Sequence, residues 1–223
     1  FVVRRVAGSA VPTFDTAVWR ELQWAALSLG SFMIALNLYT YIDTVILGVM
    51  RSDAETGWYA AAYRVYEGLT YAPAVLASVL TPRLSYLYVH DRHALRGLFL
   101  KVLAAAAVLG VVLGAVGAWL AWPMLRLLFG AAYTASTAPL QILASGALFV
   151  FCTWILHAAA IATNLDRRLL LTTAVGLVSN VGLNLMLIPR YGISGAAGAT
   201  VVAEAVTVAL LLAQVWRRIT ETT

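Results

Sequence analysis

The sequence predicts an all-α, polytopic membrane protein whose six transmembrane helices form one bundle. Three observations carry that prediction. Hydrophobic residues make up 62% of the 223 residues and charged residues only 11%, against roughly 45–50% and 25% in soluble domains. The apolar stretches run for about the 20 residues that a helix needs to cross the hydrocarbon, and they lack the alternation of barrel strands. The basic residues gather in every second loop, as the positive-inside rule requires.

Residues 1–21 are basic and irregular, with Arg4, Arg5, Gly8 and Pro12, and read as a cytoplasmic linker. The chain begins at Phe1 without a signal-peptide pattern, which suggests a fragment lacking its N-terminal part. The first span covers residues 22–50, with Trp19 and Trp24 at its start as interfacial aromatics. It is uncharged from Leu27 to Ile42, and Asp43 falls inside it. The polar turn RSDAETG leads to the second span, residues 58–81, which carries Arg64 and Glu67. Pro73 is expected to kink this helix and Pro82 to help end it. The stretch RLSYLYVHDRHALRGLFLK that follows reads as a polar connection.

The third span, residues 102–125, has no charge and contains Gly110-x-x-x-Gly114 with Gly117 one turn on. Small residues let helices approach closely, and packing within the bundle is favoured here over a dimerisation face. FGAAYTAST reads as a turn. The fourth span, residues 139–163, holds His157 and the single cysteine, Cys152, a small packing residue with no intrachain partner. After the short turn NLDRR come the fifth span, 169–189, and the sixth, 193–216, joined tightly at Pro189, Gly192 and Gly195. Glu204 lies near the middle of the sixth. Residues 219–223 form a cytoplasmic tail, so the membrane domain is 22–218.

The charge count orients this arrangement. One set of loops holds Arg4, Arg5, Arg20, Arg83, Arg92, Arg96, Lys101, Arg167, Arg168, Arg217 and Arg218; the other holds Arg51, Arg126 and Arg190. The richer side is cytoplasmic. Both termini then face the cytoplasm of a bacterial-type plasma membrane, and RSDAETG faces outward. The net charge of +5 and pI near 9.6 are explained by orientation and lipid head groups, not by nucleic acid.

Ionisable groups inside spans mark candidate chemistry, because their cost is borne only in a protein interior or a wet cavity. Asp43 lies seven residues before Met50 and Arg64 seven after Gly57, so a hairpin places them at similar depth. Asp43 can then pair with Arg64 to set helix register, Arg64 can snorkel outward, or the two can line a pathway. Arg64 and Glu67, three apart, share a helix face. Glu204 either carries a proton or hydrogen-bonds a neighbouring helix. His157, a lone histidine, reads as a packing residue before a switch. Asn37, Asn180 and Asn184 sit in apolar helices and bond other helices or the backbone, with cavity lining as their second role. Tyr39, Tyr41, Tyr59, Tyr63, Tyr66 and Tyr71 crowd the first hairpin as interfacial anchors, with sugar stacking as the alternative.

His90-x-x-His93 lies in a basic loop without the further ligands of a zinc set. No metal or cofactor is therefore expected. The chain has no Walker, G-x-S-x-G or H-E-x-x-H motif, so ATP hydrolysis and hydrolase chemistry are disfavoured.

Several motifs resemble one family. They are Asp43 with Leu47-Gly48, Gly57-x-Tyr59, Ala62-Tyr63-Arg64, Phe129-Gly130-x-x-Tyr133 and Leu140-x-Ile142-Leu143. The sharpest is Asn180-x-x-x-Asn184-x-x-Leu187-Ile188-Pro189-x-Tyr191-Gly192-x-x-Gly195-Ala196-Ala197-x-Ala199-Thr200, followed by Glu204. Together, over residues 37–205, they resemble the second half of a polysaccharide or oligosaccharide flippase, of the multidrug/oligosaccharidyl-lipid/polysaccharide exporter superfamily. The resemblance implies two six-helix lobes around a central cavity and alternating access, with this chain as one lobe. It implies a lipid-linked oligosaccharide as substrate for cell-surface polysaccharide biosynthesis, coupling to an ion gradient as in an antiporter, and no cofactor. Partners would be membrane lipids, the N-terminal lobe and glycan polymerase machinery. On this reading Arg64, Asp43, Glu67 and Asn37 are candidate substrate-binding residues, and Glu204 and Asp43 candidate ion-coupling residues. A cation-coupled drug exporter of the same superfamily, or a non-transporting module of a glycan-synthesis complex, are the alternatives.

Overall fold

The computed structural model describes residues 19, 20, 23 and 40–220, and among these residues every regular element is helical. The chain divides into two units, Phe1–Tyr41 and Ile42–Thr223. Of the first, the described residues are helical.

Helix α1, Thr40–Met50, is short and apolar. Helix α2, Asp53–His90, starts from an N-cap at Ser52, whose hydroxyl accepts the Glu55 N–H at 3.3 Å, with Asp53 and Glu55 in the first turn. The expected end at Pro82 does not occur. Both Pro73 and Pro82 lie inside this 38-residue helix. A proline forfeits one backbone bond, whereas leaving the helix in lipid would strand every peptide group. The hydroxyls of Thr70, Ser78, Thr81 and Ser85 bond carbonyls about one turn back around the two prolines.

The expected polar connection after residue 82 is likewise helical except at Asp91. There the backbone becomes extended (φ −154°, ψ 93°), and the carboxylate caps helix α3, Arg92–Phe129, by accepting the Ala94 N–H at 2.8 Å. Gly130, at φ +88°, ends α3. The stretch read as a turn forms a 3-10 helix, Ala131–Ser136. It continues into α4, Thr137–Ser145, and after a 45° bend at Gly146 into α5, Ala147–Ala162.

Helix α6, Asp166–Thr220, breaks at Gly192, whose φ of +57° and ψ of −137° are non-helical. The chain doubles back there. Gly195 packs on the backbone of Leu187 and Ile188, and Gln214 donates to the Thr172 hydroxyl at 2.9 Å. In an unbroken helix residues eight apart would be separated by about 12 Å.

Among the described residues two helices, Arg92–Phe129 and Arg168–Thr220, are long and apolar enough to cross a membrane, and the bent Ala131–Ala162 pair makes a third if it is one span. Large apolar side chains stand exposed along them, including Val108, Trp119, Leu127, Leu171, Val178 and Met186. Such a surface is unfavourable in water and natural in lipid. The chain is an all-α polytopic membrane protein.

Helix α5 is the centre of the bundle. It packs on α2, α3 and α6 and buries residues on nearly every face, from Val150 and Phe151 to Ala160 and Ala162, as an all-round apolar helix does. Gly110 and Gly114 of α3 meet the α4–α5 junction at backbone contact. A Cβ on Gly110 would stand 2.7 Å from the Leu148 Cα, and one on Gly114 would collide with the Ala144 carbonyl oxygen. The small-residue motif therefore serves packing inside the bundle.

Candidate functional site

Asp43 is the most deeply buried charged residue of the described chain, 3% exposed. Three elements meet at its carboxylate. From α1 itself the Thr44 N–H donates to Oδ1 at 2.8 Å. From α2 the hydroxyl of Tyr59, which is fully buried, donates to Oδ2. From the arm of α6 after Gly192, the Thr200 hydroxyl lies 3.2 Å from Oδ2 and 3.2 Å from the Ala196 carbonyl. Tyr59 and Thr200 come within 3.5 Å of each other, which closes the triangle.

Arg64, the partner expected from depth, is elsewhere. Its side chain is 69% exposed and pairs with Glu67 Oε2 at 3.2 Å. The reason is azimuth. At about 100° per residue, Arg64 lies roughly 140° around α2 from Tyr59, so shared depth does not bring it to the face that meets Asp43. The Arg64–Glu67 pair opens away from the core, and Glu67 is only 19% exposed at its side chain.

Glu204 lies one turn beyond Thr200 and accepts the Thr153 hydroxyl of α5 at 3.0 Å. This is the hydrogen bond to a neighbouring helix that was one of its two readings. Tyr63, one turn beyond Tyr59, stacks near it at 6.0 Å and meets Tyr66 edge-on at 5.9 Å. Tyr63 on α2 and Glu204 on α6 each stand one turn beyond a residue that bonds Asp43. Asp43 and Glu204 thus belong to one polar strip along the tyrosines of α2. Tyr59 and Tyr66 are buried, not interfacial, whereas Tyr71 is 64% exposed.

Asn180 and Asn184 are buried, and the Asn184 amide donates to the Asn180 backbone and side-chain oxygens at 3.0 and 2.9 Å. The bonds stay within one helix. His157 stands edge-on to Trp154 at 6.3 Å, and its buried Nε2 has no hydrogen-bond partner among the described residues. His90 stacks on Tyr86 at 4.2 Å with Nδ1 2.9 Å from the Tyr86 carbonyl oxygen. Asn37 lies outside the described residues.

Three contacts at or near the candidate site had no clear signal in the sequence. Thr200 was present only as the end of the most specific motif, and its hydroxyl gave no sign of reaching Asp43. Thr153 carries no signal in an apolar run. Arg51, which entered only the charge count, donates through Nη2 to the carbonyls of Ile188 and Pro189 at 2.8 and 3.4 Å. It thereby caps the arm of α6 before the Gly192 break.

A helical membrane bundle that holds charged groups inside it marks those groups as candidate functional sites. Residues 2–138 match the family described as polysaccharide biosynthesis protein, and the chain belongs to that family. It is 29% identical over 166 residues to a protein of Haloferax volcanii named Probable flippase AglR, covering 73% of this chain and 35% of that one. The chain therefore spans about a third of the length of this curated relative. No solved structure gives a significant match.

Proposed function

We propose that this chain is one lobe of a transporter that flips lipid-linked oligosaccharide across the cytoplasmic membrane by ion-coupled alternating access. The observation that supports coupling most directly is the Asp43 junction. A buried carboxylate requires either a counter-cation or a proton. Among the described residues Asp43 has only neutral donors, and the arginine closest to it in the expected hairpin is committed to Glu67. An ion or proton taken up at Asp43 would alter the bonds that hold α1, α2 and α6 together. That links occupancy to helix arrangement, which alternating access requires. Glu204, on the same strip, is the second coupling group.

Substrate contact falls to Arg64 with Glu67. An exposed guanidinium within a span either snorkels to the interface or stands in a wet cavity or against a second lobe, and the flippase relative favours the second. Its planar fork suits the diphosphate of a lipid carrier. The polysaccharide family and the flippase relative favour the glycan substrate over a drug. The basic loops put both ends of this chain on the cytoplasmic side.

The test uses the complete protein reconstituted in vesicles, with flipping of a fluorescent lipid-linked oligosaccharide measured with and without a proton or sodium gradient. Wild type should be accelerated by one gradient. Asp43→Asn, at equal protein level, should flip at the same slow rate whether or not the gradient is present. Gradient acceleration that survives in Asp43→Asn would sink the coupling role.

A further inference from the structure

One end of the bundle carries a second charged feature that transport does not use. At the junction of α2 and α3, the Arg92 guanidinium carbon lies 3.8 Å from the centre of the Tyr88 ring, and that of Arg218, from the end of α6, lies 5.8 Å from the same ring. Arg92 also donates to the Arg218 carbonyl at 3.4 Å, and Arg218 to the Thr163 carbonyl at 3.4 Å. Beside them Arg96 covers Trp216 at 4.8 Å. Two cations on one ring lie within about 10 Å of each other, roughly one Debye length. They repel, and the sole ion pair among the described residues is that of Arg64 and Glu67. An aromatic face offsets part of this cost. An anion between the guanidinium groups offsets more of it and uses their planar forks.

We infer that this end of the bundle is a site for the phosphate head group of an anionic membrane lipid, gripped by Arg92, Arg96 and Arg218. Height identifies the lipid. Trp216 and Arg218 stand where the apolar run of α6 stops, and Arg96 and Lys101 stand before the apolar run of α3 that begins at Val102. Aromatic and basic side chains at span ends lie at the level of the head groups. One turn on from Arg96, Leu100 is 43% exposed beside Lys101 and offers an apolar contact at the margin of the head groups. Tyr88, only 8% exposed, holds Arg92 and Arg218 in place from behind. The site shares no residue with the Asp43 junction or the Arg64–Glu67 pair, and nothing in its test depends on flipping.

Native mass spectrometry of the full chain in mild detergent, mixed with equal amounts of phosphatidylglycerol and phosphatidylcholine, measures the preference directly. Wild type should retain phosphatidylglycerol preferentially. Each arginine replaced, in Arg92→Gln, Arg96→Gln and Arg218→Gln, should lower the preference by roughly five-fold. Arg126→Gln, whose arginine covers Trp122 at the other end of α3, should leave it unchanged. Should Arg218→Gln misfold, Arg96→Gln decides alone, since Arg96 makes no hydrogen bond among the described residues. Equal retention of the two lipids by wild type, or an undiminished preference in Arg96→Gln, overturns the site. Inorganic phosphate that displaces phosphatidylglycerol at millimolar concentration overturns the lipid assignment in favour of a soluble phosphate.

Discussion

Tyr59 and Thr200 reach Asp43 from two different helices, so each can be removed separately. Tyr59→Phe leaves the ring in place and deletes the donor. A buried carboxylate short of one bond should cost about 1–3 kcal/mol, read as a lowered midpoint of thermal unfolding in detergent. Thr200→Val should cost less, because the hydroxyl divides its proton between Asp43 and the Ala196 carbonyl. Glu204 separates structure from coupling. Glu204→Gln keeps an oxygen to accept the Thr153 hydroxyl, so stability should hold within about 0.5 kcal/mol while gradient-driven flipping falls. Thr153→Val should show the reverse, a stability loss of about 1 kcal/mol with coupling retained. Equal stability losses in the two variants would mark Glu204 as a structural acid.

At the scale of elements, two glycine sites hold the bundle. Gly114 touches the Ala144 carbonyl across the α3–α4 contact, and backbone cannot yield as a side chain does. Gly114→Leu should destabilise by about 1–3 kcal/mol through overpacking, measured by the same unfolding midpoint, whereas Gly97→Leu, with nothing near its Cβ position, should not. At the α6 break Gly192 has φ +57° and ψ −137°, a conformation that residues with a Cβ adopt only under strain. Gly192→Ala should therefore cost about 1–3 kcal/mol. Arg51→Ala should weaken the same corner, because the carbonyls of Ile188 and Pro189 lose their donor. Faster amide hydrogen exchange confined to residues 186–196 would report it.

For the whole molecule, Arg64 is the discriminating residue. Its pair with Glu67 is exposed, and such pairs contribute only about 0–1 kcal/mol. Arg64→Ala should leave unfolding of this chain nearly unchanged yet abolish flipping by the complete protein. A stability loss of several kcal/mol, with flipping intact, would make the arginine structural. The contrast with Asp43 follows from burial. Asp43 lies between helices of this chain, whereas Arg64 faces outward, away from the core.

Sequence alone determined the class of this protein. Apolar runs of membrane length, charges swept into alternate loops and the Asn180–Thr200 motif depend on local chemistry and partition between water and lipid, so they can be counted along the chain. Asp43 and Glu204 stood out as sites for the same reason, because a charge in an apolar run is anomalous without any structure. Helix ends were less legible. Pro82 and the basic stretch after it read as breaks, but the lipid's intolerance of unpaired peptide groups outweighs a single lost bond. Only tertiary structure decided the partners. Asp43 meets Tyr59 and Thr200, 157 residues away in the latter case, because helix rotation selects among side chains of equal depth. Spacing to a turn measures depth and carries no information about azimuth, and that is why Arg64 belonged in the sequence reading of the pair but not in the pair itself.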